Sequence, residues 1–215
     1  MKRCTAILAA AGFLALAYCA FIYIRAYWFQ AAEKSRITEA VRAESQVVSS
    51  AVASEPVQVP EWKRPNRGDA VAMLTIPWIG LSSVVLEGAG ARELRLGPGH
   101  IARTPLPGEG GNFAVAGHRD TFFRALRSIR TNDIVHVKVR DQEFAYRVVS
   151  TRIVSPKDVQ VLDPDPSGKE SLTLVTCYPF SFVGSAPMRF IVRADCDDCL
   201  HKSSTHFGIR SPESR

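Results

Sequence analysis

Between Cys4 and Ile24 the chain carries no charge for 21 consecutive positions. A helix of that length rises roughly 30 Å at about 1.5 Å per residue, enough to cross the hydrocarbon core of a bilayer. The run therefore commits the first residues to a membrane and leaves the remainder to fold on one side of it. Lys2 and Arg3 precede the run, and Tyr23, Tyr27 and Trp28 lie at its far end in the manner of an interfacial belt. The basic flank puts the N-terminus inside and the rest of the chain outside, with Arg25 weakening the asymmetry. A cleaved signal peptide is the competing reading, because Ala15-Leu-Ala17 resembles a small-x-small cleavage site. The apolar run continues well past that site and is longer than an ordinary signal core. Lipid modification at Cys19 is weaker still, since Tyr18 stands where a small residue is expected. In each case the remaining chain is exported.

Four segments follow from composition: a membrane anchor over 1–28, a juxtamembrane helix and linker over 29–68, a catalytic domain over 69–195 and a polar tail over 196–215. Residues 29–46 are rich in helix formers, but only Ile37 and Val41 sit at helical spacing as apolar positions, which predicts a solvated helix and not a packed one. Ser49 to Gly68 carries three prolines and no periodic pattern, and reads as a spacer holding the domain off the membrane. The domain itself holds 15 Lys and Arg against 13 Asp and Glu, so most of the net charge of +6 lies outside it. That distribution argues against a nucleic-acid partner and suits a chain lying near anionic lipid.

Within the domain, β-branched and apolar residues come in short runs divided by turn signals. Strands are expected at Ala70–Ile76, around Ser83–Leu86, and at Asn112–His118, Ile134–Val139, Glu143–Val154, Ser171–Cys177 and Met188–Arg193. Short helices are expected near 90–96 and over 121–129, where Phe122, Leu126 and Ile129 share a face. Many short strands with little helix imply an all-β barrel or sandwich.

One strand ends in a thiol. In Ser171-Leu-Thr-Leu-Val-Thr-Cys-Tyr-Pro-Phe180, Pro179 stops the hydrogen-bond ladder just past Cys177, so the cysteine can face a cleft. A nucleophilic thiol needs a base or a cation to raise its thiolate fraction. His118 fits that part: it follows the strand-like Phe113-Ala-Val-Ala and the permissive Gly117. His136 alternates onto the face opposite Val135, Val137 and Val139 and reads as solvent-facing. His100 lies in a Gly- and Pro-rich loop with no strand to fix it, and His201 and His206 lie in the tail. Arg189 opens the strand after Cys177, so hairpin pairing would bring its guanidinium to the thiol, where an oxyanion needs positive charge.

Gly117-His-Arg-Asp-Thr-Phe-Phe123, Thr173-Leu-Val-Thr-Cys-Tyr-Pro-Phe180 and Ala186-Pro-Met-Arg-Phe-Ile-Val192 resemble the three signature blocks of the sortase family, and most of all its class D branch. Leu74-Thr-Ile-Pro-Trp-Ile-Gly80 and Thr104 to Asn112 are similar too, so the resemblance runs in order from about residue 70 to 195. It implies a closed eight-stranded β-barrel with Cys177 as nucleophile, His118 as general acid and base, and Arg189 holding the substrate and its oxyanion. Thr176, next to the nucleophile, would help bind substrate. The implied reaction is cleavage of a Leu-Pro-x-Thr-Gly-like sorting signal after its threonine, through a thioacyl enzyme, and transfer to an amine acceptor on peptidoglycan or a pilin. No cofactor is required. The 155–170 loop corresponds to the family's substrate-recognition loop, and Asp158, Asp163 and Asp165 in it leave room for a calcium site of the kind some sortases have. Such a site takes about 6 to 8 oxygen ligands, and three carboxylates in a loop are more often simply solvated.

The tail departs from the family. Cys196-Asp-Asp-Cys199 suggests redox chemistry, yet two aspartates between the thiols disfavour thiolates. With His201 and His206 the cysteines could ligate zinc, although the spacing matches no standard finger, and a small disulfide or two free thiols is the plainer reading. Two alternatives to a transpeptidase therefore stand: a hydrolase of the same fold, and a membrane-tethered thiol or zinc-binding module supported by the barrel.

Overall fold

Apolar residues at alternate positions build eight strands: β1 (Ala70–Ile76), β2 (Leu81–Glu87), β3 (Gly99–His100), β4 (Asn112–Gly117), β5 (Ile134–Val139), β6 (Gln142–Val154), β7 (Ser171–Tyr178) and β8 (Met188–Cys196). The computed structural model describes residues 2–50, 64–140, 142–181, 184–197 and 199, with side chains from residue 11 to 35 in the first of these segments. The strands close into one barrel in the order β1-β2-β3-β4-β7-β8-β6-β5. Closure pairs each strand with two neighbours, and eight strands enclose a space that side chains alone can fill. Leu74 and Ile76 of β1, Phe113 and Val115 of β4, Val137 of β5, Tyr146 of β6, Leu172 and Leu174 of β7 and Val192 of β8 fill it. Each such side chain contributes about 1.5–3 kcal/mol by leaving water.

Two features of the strand order position the functional end of the barrel. β4 and β7 are neighbours and run parallel, although β5 and β6 lie between them in sequence. Parallel neighbours need a crossover of this sort. β6, at 13 residues, serves two partners: its first half pairs with β5 and its second with β8. A register shift between Val148 and Ser150 bends it between the two, leaving Val149 exposed. At the far end of β7, Glu170 closes the barrel by accepting from the Tyr146 hydroxyl at 2.7 Å and from the Gly108 amide at 2.9 Å. Burial, and then the neighbouring Glu170, push the Tyr146 phenol well above its ordinary range.

Several expectations change. His100 is not in an unfixed loop: it belongs to β3, is buried, and holds Glu87 through Nδ1 at 2.6 Å and the Thr104 hydroxyl through Nε2 at 2.9 Å. Two residues of strand between glycines and prolines carry too little periodicity to read. The segment after His118 is not an amphipathic α-helix but a turn followed by one 3-10 stretch, Arg124–Ser128. Its anchor is Phe123, fully buried, while Phe122 only packs against the core from outside. β8 runs on to Cys196, which is buried and disulfide-bonded to Cys199, so the tail begins one residue later than its composition implies.

The juxtamembrane segment also differs. One helix, α1, runs from Lys2 to Ser50, and within it Ala11–Ser35 is long and apolar enough to cross a membrane. It does not stand clear of the barrel. β3 is too short to cover all of β2, and Val84 presents its amide and carbonyl where no strand lies. Gln30 fills that gap with a side-chain amide. Its Oε1 accepts from the Val84 amide at 2.7 Å and from the Ser83 hydroxyl at 3.0 Å. Its Nε2 donates to the carbonyls of Val84 at 3.2 Å and Leu96 at 2.9 Å. A Cβ on Gly97 would lie 2.5 Å from Nε2, so this approach requires glycine. Lys34 adds a bond to the Ser82 carbonyl at 3.2 Å. Hydropathy patterning does not detect such docking, because the contact is made by polar side chains on backbone. Residues 51–63 of the expected spacer lie outside the described residues.

Candidate active site

The register of three neighbouring strands brings the expected site together. In the parallel pair, Gly117 lies opposite Thr176, so His118 follows β4 beside Cys177. In the antiparallel pair, Cys177 lies directly opposite Arg189. Residues opposed in this way share a face of the sheet with Cβ atoms about 5 Å apart. Cys177 is a free, half-buried thiol, His118 is exposed just past the strand, and Arg189 is half-buried. A thiol, an imidazole and a guanidinium thus occupy the ends of three adjacent strands.

The backbone around His118 is tightly specified. The Phe123 amide donates to the His118 carbonyl at 3.0 Å, closing the turn that carries the imidazole. Phe123 is fully buried beneath it, and a Cβ on Gly117 would meet that ring at 2.6–2.9 Å. Gly117 is therefore required for close packing and not, as its place before His118 suggested, for an unusual backbone turn, since it keeps an ordinary strand conformation at the end of β4. Thr176 is buried and donates its hydroxyl to the Gly117 carbonyl at 2.7 Å. Its side chain points away from the face that carries Cys177, as alternation demands. The expected contact of Thr176 with substrate is thus replaced by a contact with the backbone that leads into His118.

Arg189 Nη1 donates to the carbonyls of Met188 at 2.9 Å and Ala186 at 3.2 Å, which folds the guanidinium back on the β7–β8 connection. Two features here escaped sequence reasoning. Arg119 donates from Nη2 to the Gly184 carbonyl at 3.0 Å, joining the loop after β4 to the loop before β8. On the Thr176 side of the same strands, against the barrel core, Tyr178, Phe180 and Phe190 pack ring on ring, with centroids 5.3–6.5 Å apart. The Tyr-Pro-Phe spacing carried that signal, but only the opposition of Phe190 to Thr176 in β8 makes it a cluster.

The remaining candidates disperse. His136 is half-exposed and bonds Glu143 at 2.8 Å on the outer face of β5. Asp165 binds the amide and hydroxyl of Ser167, and these bonds hold its carboxyl below the usual range. No group of three or more His, Cys, Asp or Glu is arranged to hold a metal among the described residues, so Asp158, Asp163 and Asp165 do not form the calcium set considered above. Cys196 and Cys199 are bonded to each other, which removes both as thiolate ligands, and His201 and His206 lie outside the described residues.

A closed antiparallel-rich barrel of eight strands with a cysteine, a histidine and an arginine at one edge defines a class of thiol-bearing barrels suited to acyl transfer. The sequence model of the sortase domain matches residues 74–197. The chain belongs to the sortase family. It is 38% identical over 129 residues to sortase D of Bacillus subtilis (strain 168), a match covering 60% of this chain and 65% of that protein. The chain thus spans just under two thirds of that relative. Among solved structures it resembles a Clostridium perfringens sortase D5 transpeptidase, with a TM-score of 0.56 and 30% identity over 62% of this chain and 82% of that one. It also resembles the SrtF sortase of Corynebacterium diphtheriae, with a TM-score of 0.58 and 28% identity over 66% and 91% of the respective chains.

Proposed function

We propose that the chain is a membrane-anchored cysteine transpeptidase that cleaves a Leu-Pro-x-Thr-Gly-like sorting signal after its threonine and passes the acyl group to an amine on the cell envelope. The observation that carries the reading is the register that aligns the ends of β4, β7 and β8, with His118, Cys177 and Arg189 as consecutive neighbours. Cys177 Sγ attacks the threonine carbonyl as thiolate. The C–N bond breaks, His118 gives a proton to the departing amine, and a thioester remains on Cys177. An acceptor amine then attacks that thioester, His118 takes its proton, and the thiolate leaves with a new amide formed. Arg189 swings from its own connection toward the developing oxyanion, where a fixed positive charge lowers the barrier in both steps. Thr176 acts through Gly117, holding the strand that carries the imidazole.

Family membership and the apolar helix Ala11–Ser35 together support an anchored enzyme acting outside the membrane, with the N-terminus inside. Its substrates are surface proteins with C-terminal sorting signals, and its acceptor is a peptidoglycan or pilin amine. The test is mass spectrometry of the full chain in detergent with a panel of such peptides and an amine, triglycine or diaminopimelate, beside Cys177→Ala. A transfer product lost in the variant supports the proposal. Cleavage without transfer across all acceptors would replace it with the hydrolase, and turnover that survives Cys177→Ala would refute the nucleophile.

A further inference from the structure

We infer that the crevice between α1 and the loop after β4 is a binding site for the phosphate headgroup of an anionic phospholipid. The inference rests on the membrane anchoring proposed above and is independent of the transfer reaction.

The docking of Gln30 on β2 holds α1 against the barrel and encloses a cavity of 690 Å³ beside His118. Its lining includes His118 but neither Cys177 nor Arg189, so it is not the cleft in which the thiol attacks. One wall is Ile22, Tyr23, Ala26 and Tyr27 of the helix, and Phe122 and Leu94 of the barrel contribute apolar surface. The polar rim is mainly basic: Lys34, Arg95 and Arg124, against Asp120 alone. Arg95 and Arg124 are exposed and make no ion pair with any described residue. An apolar wall next to clustered cations is the chemistry of an acyl chain joined to an anionic head.

Position supplies the second argument. Tyr23 and Tyr27 belong to the aromatic group at the outer end of the apolar run, and such rings settle at the headgroup level. Both line the cavity, so the crevice opens where lipid phosphates lie, while Lys34 stands about two turns further out. The Thr121 hydroxyl is buried in the same lining without a hydrogen-bond partner in the protein, and a phosphate oxygen would accept from it after a small rotation. A lipid bound here would fix the barrel on the bilayer with the His118 loop facing it.

Native mass spectrometry of the full chain in neutral detergent tests this directly, using short-chain phosphatidylglycerol, phosphatidylcholine and inorganic phosphate as separate probes. One phosphatidylglycerol per chain should be retained. Arg95→Gln with Arg124→Gln should weaken it roughly 20- to 30-fold, as expected from about fivefold per basic residue near a lipid surface. Gln30→Ala, which releases the helix, should weaken it as well. Cys177→Ala should bind like the wild type, which separates failure of this inference from failure of the transfer reaction. Equal retention of phosphatidylcholine, undiminished binding in the double variant, or unchanged binding in Gln30→Ala would each overturn the site. Displacement by inorganic phosphate at the concentration of the lipid would overturn the lipid as its ligand.

Discussion

Replacing Gly117 by alanine tests whether the His118 turn is built by packing on Phe123. The added methyl would sit 2.6 Å from Cδ2, 2.7 Å from Cγ and 2.9 Å from Cε2 of that ring. Because Cγ is near the root of the side chain, a rotation of the ring tip cannot relieve the contact. Phe123 is fully buried, and its amide is tied to the His118 carbonyl, so the ring cannot retreat without moving the turn. Overpacking of this kind costs about 1–3 kcal/mol. For a domain near 130 residues that is a fall of roughly 3–15 °C in Tm. The transfer rate should fall further than stability explains, since the imidazole rides on the displaced backbone.

The decisive measurement is a double-mutant cycle with Phe123→Ala, which removes Cγ, Cδ2 and Cε2, the three atoms at the point of contact. Phe123→Ala alone loses packing and should destabilise. Combined with Gly117→Ala it should recover part of the loss, giving a coupling of at least about 0.5 kcal/mol in the rescuing direction. Denaturant unfolding of all four proteins reads it out, and thioester formation on Cys177 reads the effect on the site. Additive losses, or a Gly117→Ala protein as stable as the parent, would refute the packing argument.

Thr176→Val removes the hydroxyl that bonds the Gly117 carbonyl while keeping the shape of the side chain. It should cost about 1–2 kcal/mol and lower kcat with KM little changed, whereas a substrate contact would raise KM; Thr176→Ser should restore the rate. Tyr146 sets an alkaline limit. Its folded pKa lies above the unfolded value of 10.0, so its contribution is complete below pH 10 and is lost as pH rises beyond it, where the unfolded chain ionises first. Stability should decline by up to about 1.4 kcal/mol per pH unit from this one group, and denaturant titrations of Tyr146→Phe should lack that component. Replacing Cys196 and Cys199 together by alanine should cost about 2 kcal/mol through chain entropy yet leave transfer unchanged, because Arg189 and Cys196 occupy opposite ends of β8. Loss of activity in that variant would favour a functional thiol pair.

What was legible in the sequence was whatever depends on nearest neighbours along the chain. Alternation in Ser171–Cys177 and Asn112–Gly117 wrote those strands plainly, and the residue types at their ends marked Cys177 and His118. What could not be read depends on pairing across the barrel. That β4 lies parallel to β7 is a consequence of strand order, and nothing local to either strand encodes it. The same holds for Phe123 over Phe122. Helical spacing favoured Phe122, but the bond from the Phe123 amide to the His118 carbonyl tightens the turn and rotates the neighbouring ring inward.

Gln30 shows how far that limit reaches. As a residue in a helix of mixed polarity it carried no signal, since its meaning lies in a gap on β2 that exists only because β3 is two residues long. β3 is that short because Gly97-Pro-Gly99, which leads into it, cannot sustain a ladder. The amide of one glutamine then occupies the position a third residue of strand would have taken, and Gly97 leaves the room for it. A barrel with a complete third strand would have no need of the helix and could turn freely on its linker. The shortened strand instead couples the barrel's seam to the apolar helix proposed as the anchor, and it does so next to His118, so helix and site are held in one arrangement by Gln30, with Lys34 on Ser82 beside it.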